Sequence, residues 1–229
     1  MDYSAWTSDI EGFESPVFSR TAIITLPSRE PNARRVIDRL GFANSAIVPA
    51  TQVTTLPAEW TQNREPTLRA SELACYCSHV TLWREWMRGR GDARDWMLVL
   101  EDDLVVPEAW VRDAMVRAMR DAPSDADIVY FGRCHDHCDD FTYVTTNVAR
   151  VSCTLCTHAY AVTRDACKKL AGSVRLPVSE PVDVHICGLT RRRHVNAYAT
   201  SVPLLFQNRE SIPSELGHVE TLNACSFKL

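Results

Sequence analysis

The chain contains no apolar run of 18 residues, so no segment has the length and hydropathy of a membrane-spanning helix. It has no basic excess either. Twenty-five lysines and arginines stand against 29 aspartates and glutamates, a formal net charge of -4. The one compact basic cluster, residues 191–193, is too short for the broad positive footprint that nucleic acid requires. The opening stretch MDYSAWTSDIEGFESP is acidic and lacks the basic segment and continuous apolar segment of a secretory signal. Internal repeats and low-complexity stretches are missing as well. The expectation is a cytoplasmic protein without a membrane span, with peripheral association left open, and one that does not bind nucleic acid. Oligomeric state stays open. The nine cysteines are a high and odd count, and in a reducing compartment their default state is the free thiol.

What is present suits an ordinary globular protein: 229 residues, 45% hydrophobic and 24% charged, enough for one large core. Residues 1–16 read as an irregular arm, 17–208 as a single domain and 209–229 as a tail. Within the domain, residues 17–26 (VFSRTAIITL) have strand composition, residues 33–40 carry Val36, Ile37 and Leu40 at helical spacing before Gly41, and residues 46–49 form a short strand. Prolines and polar residues over 51–67 argue for a loop. Leu73, Tyr76, Val80, Trp83 and Met87 step by three and four residues along a long helix, with His79 beside the stripe. A strand over 96–100, a helix opened by Pro107 and Glu108, strands over 128–132 and 154–162, and a short helix capped by Thr163 follow. Strands alternating with helices predict an α/β architecture around a mainly parallel sheet.

The segment WMLVLEDDLVV, residues 96–106, sets three carboxylates at the end of the most apolar strand. In open α/β sheets ligands gather beyond the carboxyl ends of such strands. If the backbone stays extended, alternation turns Glu101 and Asp103 to one side and Asp102 to the other. Two converging carboxylates repel unless a cation lies between them, and hard oxygen donors favour Mg2+ or Mn2+ with positions left open for substrate phosphates. The bland alternative is that the acids only complement the dipole of the helix near Pro107, although Asp103 is about four residues early for that.

The order of motifs adds to this reading. LRASELACYCSHVTLWREW followed by WMLVLEDDLVVPE resembles glycosyltransferase family 25, whose members carry a Gly-Cys-x-Ser-His helix and then a Glu-Asp-Asp motif. IITLPSREPNARRV resembles the family's opening strand and Arg-containing loop, THAYAVTRDACKKL its His-Ala-Tyr strand and helix, SEPVDVHI its Pro-Val-Asp segment, and PLLFQN its last strand. The resemblance covers residues 19–208. It implies a GT-A-type nucleotide-sugar-binding sandwich over 17–208, with a mixed, mainly parallel central sheet. The implied activity is an inverting, divalent-metal-dependent transfer of a sugar, a hexose, from a UDP-sugar to a hydroxyl of a glycan, a lipid-linked sugar or a protein. By the same resemblance Glu101 and Asp103 hold Mn2+ or Mg2+, and Asp102 faces the sugar or ribose side. Asp183 acts as general base on the acceptor hydroxyl, and Thr25, Leu26, Arg29, Ser78, His79 and Gln207 line the donor site. The chain departs from the pattern in carrying Cys75-Tyr76-Cys77 before the Ser-His pair, Thr25 where many members have Asn, and Val184 where many have a second acid.

Several residues also have plain readings. His79 beside an apolar stripe suits packing as well as a site, and Arg29, Arg34 and Arg35 suit a solvated face. His158 lies in a matched segment near a strand end. Cys134, Cys138, Cys153 and Cys156 form two close pairs that could build a structural zinc site in an interaction module, or could instead form a disulfide. Paired carboxylates at a strand end also serve metal-dependent phosphohydrolases.

Overall fold

A computed structural model of the chain describes residues 17–62, 68–134 and 141–208. The arm expected over 1–16, the tail expected over 209–229 and Cys138 lie outside the described residues.

The chain enters through β1 (Arg20–Thr25), a 3-10 turn (Pro27–Arg29), α1 (Glu30–Leu40) and β2 (Ser45–Pro49). Gly41 ends α1 in the left-handed conformation at φ 58°, and its N–H closes on the Ile37 carbonyl, which a side chain with a Cβ would make costly. A 3-10 turn (Val53–Thr55) and the short α2 (Ala58–Thr61) interrupt the connection expected as loop, because Trp60 is buried there. The long α3 (Ala70–Arg88) leads to β3 (Trp96–Glu101), β4 (Leu104–Val105) and α4 (Val111–Asp121). α4 begins after Pro107 and Glu108 rather than at them: β4 keeps the chain extended up to the proline, whose ring disfavours helix in the preceding residue. Next come β5 (Ile128–Cys134), β6 (Thr142–Tyr143), β7 (Val148–Arg150) and β8 (Leu155–Thr163). The chain closes with α5 (Arg164–Ser173), α6 (Val182–Arg191), β9 (Ala197–Thr200) and β10 (Phe206–Gln207). Thr163 caps α5 as expected, its side chain accepting from the Ala166 N–H.

Eight strands form one sheet in the order β2-β1-β3-β8-β5-β9-β7-β6. β2, β1, β3, β5 and β9 all run the same way, while β8 is antiparallel to both neighbours, β3 and β5. The architecture is thus α/β with a mixed central sheet, as the sequence predicts. Alternation along the strands feeds two cores. Ala22, Met97, Val99, Tyr130 and Tyr160 pack with α3, α5 and α6, whereas Ile23, Leu98, Leu100, Phe131 and Ala161 pack with α1 and α4. Strands covered on both faces explain why WMLVL reads as an unbroken apolar run.

Because β8 runs against β3, its first residues arrive beside the carboxyl end of β3. A two-stranded ribbon of β4 and β10, pairing Gln207 with Leu104, returns the end of the described chain to the same edge.

Candidate active site

Glu101 is the last residue of β3, and Asp102 and Asp103 form the turn before β4. The extended backbone assumed for the triplet therefore stops at Glu101, and the three acids take three directions. All three line one cleft of about 530 Å³ together with Leu26, Ser28, Arg29, Thr51, Cys75, Ser78, His79 and Gln207. That volume suits a small-molecule site.

Asp102 is 6% exposed and fastens the loop after β1. Its Oδ2 accepts from the Leu26 N–H at 2.8 Å and from the Thr25 hydroxyl at 3.0 Å, and its Oδ1 pairs with Arg29 at 3.3 Å. Thr25, Leu26 and Arg29 thus meet at one carboxylate on the wall of the cleft. Asn32, which sequence reasoning missed, donates from its buried amide to the Asp102 backbone carbonyl. Arg34 and Arg35 stay with Glu30 and Asn32 on α1 and do not line the cleft.

Asp103 is buried and accepts from the Gln207 amide at 3.2 Å, while its backbone carbonyl receives the Asn208 N–H. Tertiary pairing of β4 with β10 therefore makes neighbours of two residues 104 positions apart.

Glu101 turns toward α3 and β8. The Thr157 hydroxyl donates to its Oε1 at 2.8 Å, and His79 Nε2 lies 3.3 Å from the same oxygen. Burial alone would raise this carboxyl; the His79 hydrogen bond, the charges of His79 and His158 and the Thr157 hydroxyl outweigh it and hold Glu101 below the ordinary carboxylate range. His79 Nδ1 lies 3.0 Å from the Tyr160 hydroxyl oxygen, which also accepts from the Trp83 indole N–H at 2.9 Å. Burial pushes the Tyr160 hydroxyl well above its ordinary value and keeps it protonated. His79 is thus a buried polar link whose ring also packs against Trp83 and Tyr160. Cys75, one turn before His79, has its thiol raised by burial and then by Glu101, Asp183 and Asp103. Thr157, Tyr160 and Trp83 were missed by sequence reasoning. All three stood in matched segments, but nothing in the spacing says that an antiparallel strand delivers Thr157 and Tyr160 to Glu101 and His79.

Ser78 takes a supporting position. Its hydroxyl accepts from the Thr51 N–H and donates to the Ala74 carbonyl, both at 2.8 Å, which ties the wall of the cleft to α3. His158 packs over Gly132, where an added Cβ would fall 2.2 Å from the ring nitrogen.

Asp183 opens α6 and is half-buried. Its Oδ2 accepts from the Cys156 N–H at 3.0 Å and its Oδ1 from the Val184 N–H at 2.8 Å. It acts electrostatically on Cys75 but is not among the residues lining the cleft. Cys156 adopts φ 67°, a strained conformation for a residue with a side chain, and its N–H meets the carboxylate there.

The cysteine expectations need correction. Cys134 bonds to Cys156 and Cys153 to Cys187, with Cα separations of 5.7 and 4.6 Å, while Cys75, Cys77 and Cys167 are free. The four-thiolate zinc arrangement does not form, because the pairing of β5 with β8 and the packing of α6 bring together cysteines 22 and 34 residues apart instead of near neighbours. The default of free thiols is likewise overturned for these four. Among the described residues no helix is long and apolar enough to cross a membrane.

A mixed α/β sheet whose parallel strands end at an acidic cleft defines an α/β enzyme with its site at the carboxyl edge of the sheet. Residues 45–186 match the model of glycosyltransferase family 25 (LPS biosynthesis protein), and the chain belongs to that family: it is a glycosyltransferase. Two solved structures are similar to it. One is a Drosophila β-1,4-galactosyltransferase 7 variant in complex with manganese, UDP-Gal and xylobiose, at 12% identity and TM-score 0.35, covering 85% of this chain and 67% of the other. The second is UDP-glucose pyrophosphorylase complexed with UDP-glucose, at 10% identity and TM-score 0.36, covering 79% of this chain and 72% of the other.

Proposed function

We propose that this glycosyltransferase moves a hexose from a UDP-sugar to a hydroxyl of a glycan, lipid-linked sugar or protein acceptor, with inversion at the anomeric carbon and with a divalent cation, Mn2+ or Mg2+, held by Asp103 and Glu101. The carrying observation is that Glu101, Asp102, Asp103, Arg29 and Gln207 line one cleft at the sheet edge of a family 25 chain. Buried carboxylates lining an open cleft fit a hard cation, since oxygen donors and room for phosphate oxygens are what Mn2+ and Mg2+ require. When bound, such a cation stabilises the charge that develops on the departing diphosphate.

The chain's own residues supply the rest. Arg29, held by Asp102, brings positive charge to the cleft wall where the diphosphate would lie. The Asp102 strap keeps the residue 25–29 loop in one geometry, which lowers the ordering cost of binding a nucleotide. Gln207 fixes the orientation of Asp103. Inversion requires the acceptor oxygen to attack opposite the leaving group, so its proton must be taken on the face away from the diphosphate. Asp183 is assigned that role: two backbone N–H groups orient its carboxylate, and it stands on α6, outside the lining of the acidic cleft.

The test is a panel of nucleotide sugars with Mn2+, read as UDP release with and without acceptor sugars. Acceptor-stimulated release supports the transferase reading, whereas release indifferent to every acceptor favours a phosphohydrolase. Asp103→Ala should lower turnover by at least about 100-fold, since several kcal/mol of charge stabilisation at about 1.36 kcal/mol per decade are at stake. Equal turnover by a folded Asp103→Ala variant sinks the cation assignment.

A further inference from the structure

We propose that Cys75, His79 and Glu101 form a divalent-cation centre of mixed sulfur, nitrogen and oxygen donors, suited to zinc or cobalt, in the same cleft as the transfer site. The proposal goes beyond the transfer reading: it shares Glu101 with that site and adds two donors of its own, Cys75 and His79. Cys75 and His79 are four residues apart on α3, which places both on one face a single turn apart. Glu101 comes to them from the end of β3, and one donor atom from each of the three lies within 4.8 Å of the other two.

The spacing of the His79–Glu101 hydrogen bond also suits a shared cation. His79 Nε2 and Glu101 Oε1 are 3.3 Å apart, beyond the usual 2.7–3.2 Å of an N–H to oxygen hydrogen bond. Tetrahedral bonds of about 2.0–2.1 Å to nitrogen and oxygen separate those two ligand atoms by about 3.3 Å. The supporting atoms also have the form of a metal centre. A ligating imidazole donates its other N–H to a fixed acceptor, and His79 Nδ1 faces the Tyr160 oxygen at 3.0 Å, itself held by Trp83. A ligating carboxylate is usually hydrogen-bonded in turn, and Thr157 donates to Glu101 at 2.8 Å. All three donors line the cleft, so a fourth position opens toward substrate or water, the arrangement of reactive rather than structural zinc. Thiolate and imidazole select a softer cation than the carboxylate of Asp103, which leaves the harder cation to the diphosphate.

The experiment titrates the full-length protein, its disulfides intact, with Co2+ alone and records the absorption spectrum. The expected result is a near-ultraviolet sulfur-to-cobalt charge-transfer band with visible bands of tetrahedral intensity, saturating at one equivalent. Cys75→Ser abolishes the charge-transfer band. Tyr160→Phe keeps it but weakens cobalt affinity by about 10–100-fold, the cost of losing a supporting hydrogen bond to a ligand. Absence of the band, its survival in Cys75→Ser, or cobalt binding with the spectrum of an all-oxygen site each overturns the proposal. Failure here leaves the UDP-release assay untouched, and a cobalt-thiolate band in a protein without acceptor-stimulated UDP release would sink the transfer reading and not this centre.

Discussion

Asp102 illustrates how a single carboxylate acquires a role that its neighbours do not share. Of the three adjacent acids it is the one that holds the loop after β1, through Thr25, Leu26 and Arg29. Removing it takes from the part-buried Leu26 N–H its acceptor and from Thr25 and Arg29 one partner each, a cost of about 1–3 kcal/mol. Asp102→Ala should therefore lower the unfolding free energy by that amount, read as a lower urea midpoint, and raise the KM for the nucleotide sugar more than it lowers kcat, because the loop is loosened while Asp103 stays in place. A variant with wild-type KM would show that the loop does not need the strap. The triplet as a site was legible in the sequence, since like charges after an apolar strand call for a partner. The division of labour was not, because it depends on the chain turning at Asp102 instead of continuing as strand.

At the scale of elements, α6 is held in place by long-range links. Cys187 ties it to Cys153, and Asp183 in its first turn is bonded to Cys156, which is itself tied to Cys134 at the end of β5. Closing loops of 22 and 34 residues restricts the unfolded chain, and each bridge contributes about 3 kcal/mol in the chain-entropy model. Reductant should accordingly lower the urea midpoint substantially, and it should slow acceptor-dependent turnover by freeing the carboxylate assigned as base. Denaturation curves with and without dithiothreitol check the first part; coincident curves would mean that the bridges do not contribute to the folded state. The helices and strands themselves were largely readable: the stripe along α3, the Thr163 cap and the apolar strands β3 and β5 follow from local spacing. The cysteine pairing was not, since the bridges join cysteines 22 and 34 residues apart, which sheet pairing and helix packing bring together.

At the scale of the whole molecule, the core beneath α3, α5 and α6 is joined through His185. Its Nε2 lies 2.8 Å from the Ser173 hydroxyl of α5, its ring packs on Tyr76 of α3, and Nδ1 lies 3.4 Å from Glu180. Burial lowers the affinity of His185 for its proton, and the partly opposing effect of Glu180 does not restore it. The unfolded chain then binds the proton at a higher pH than the folded one, so the stability contributed by neutral His185 is fully present above 6.5 and is lost as pH falls through the lowered value. Urea midpoints measured between about pH 8 and pH 5 should decline toward acid. His185→Gln, which keeps hydrogen-bonding capacity without titrating, should flatten that decline, and an equally steep curve would remove His185 from the account.

The amino-acid sequence by itself determined the α/β class, the acidic edge of the sheet and the family, because hydrophobic period, caps and motif order are properties of neighbouring residues. Only the tertiary structure decided which acid meets which partner. β8 runs antiparallel between β3 and β5 and so delivers Thr157, Tyr160 and Cys156 to the site, and β10 returns Gln207 to Asp103. These contacts join residues far apart in the chain, and their geometry is set by strand direction and helix packing, which local spacing does not encode.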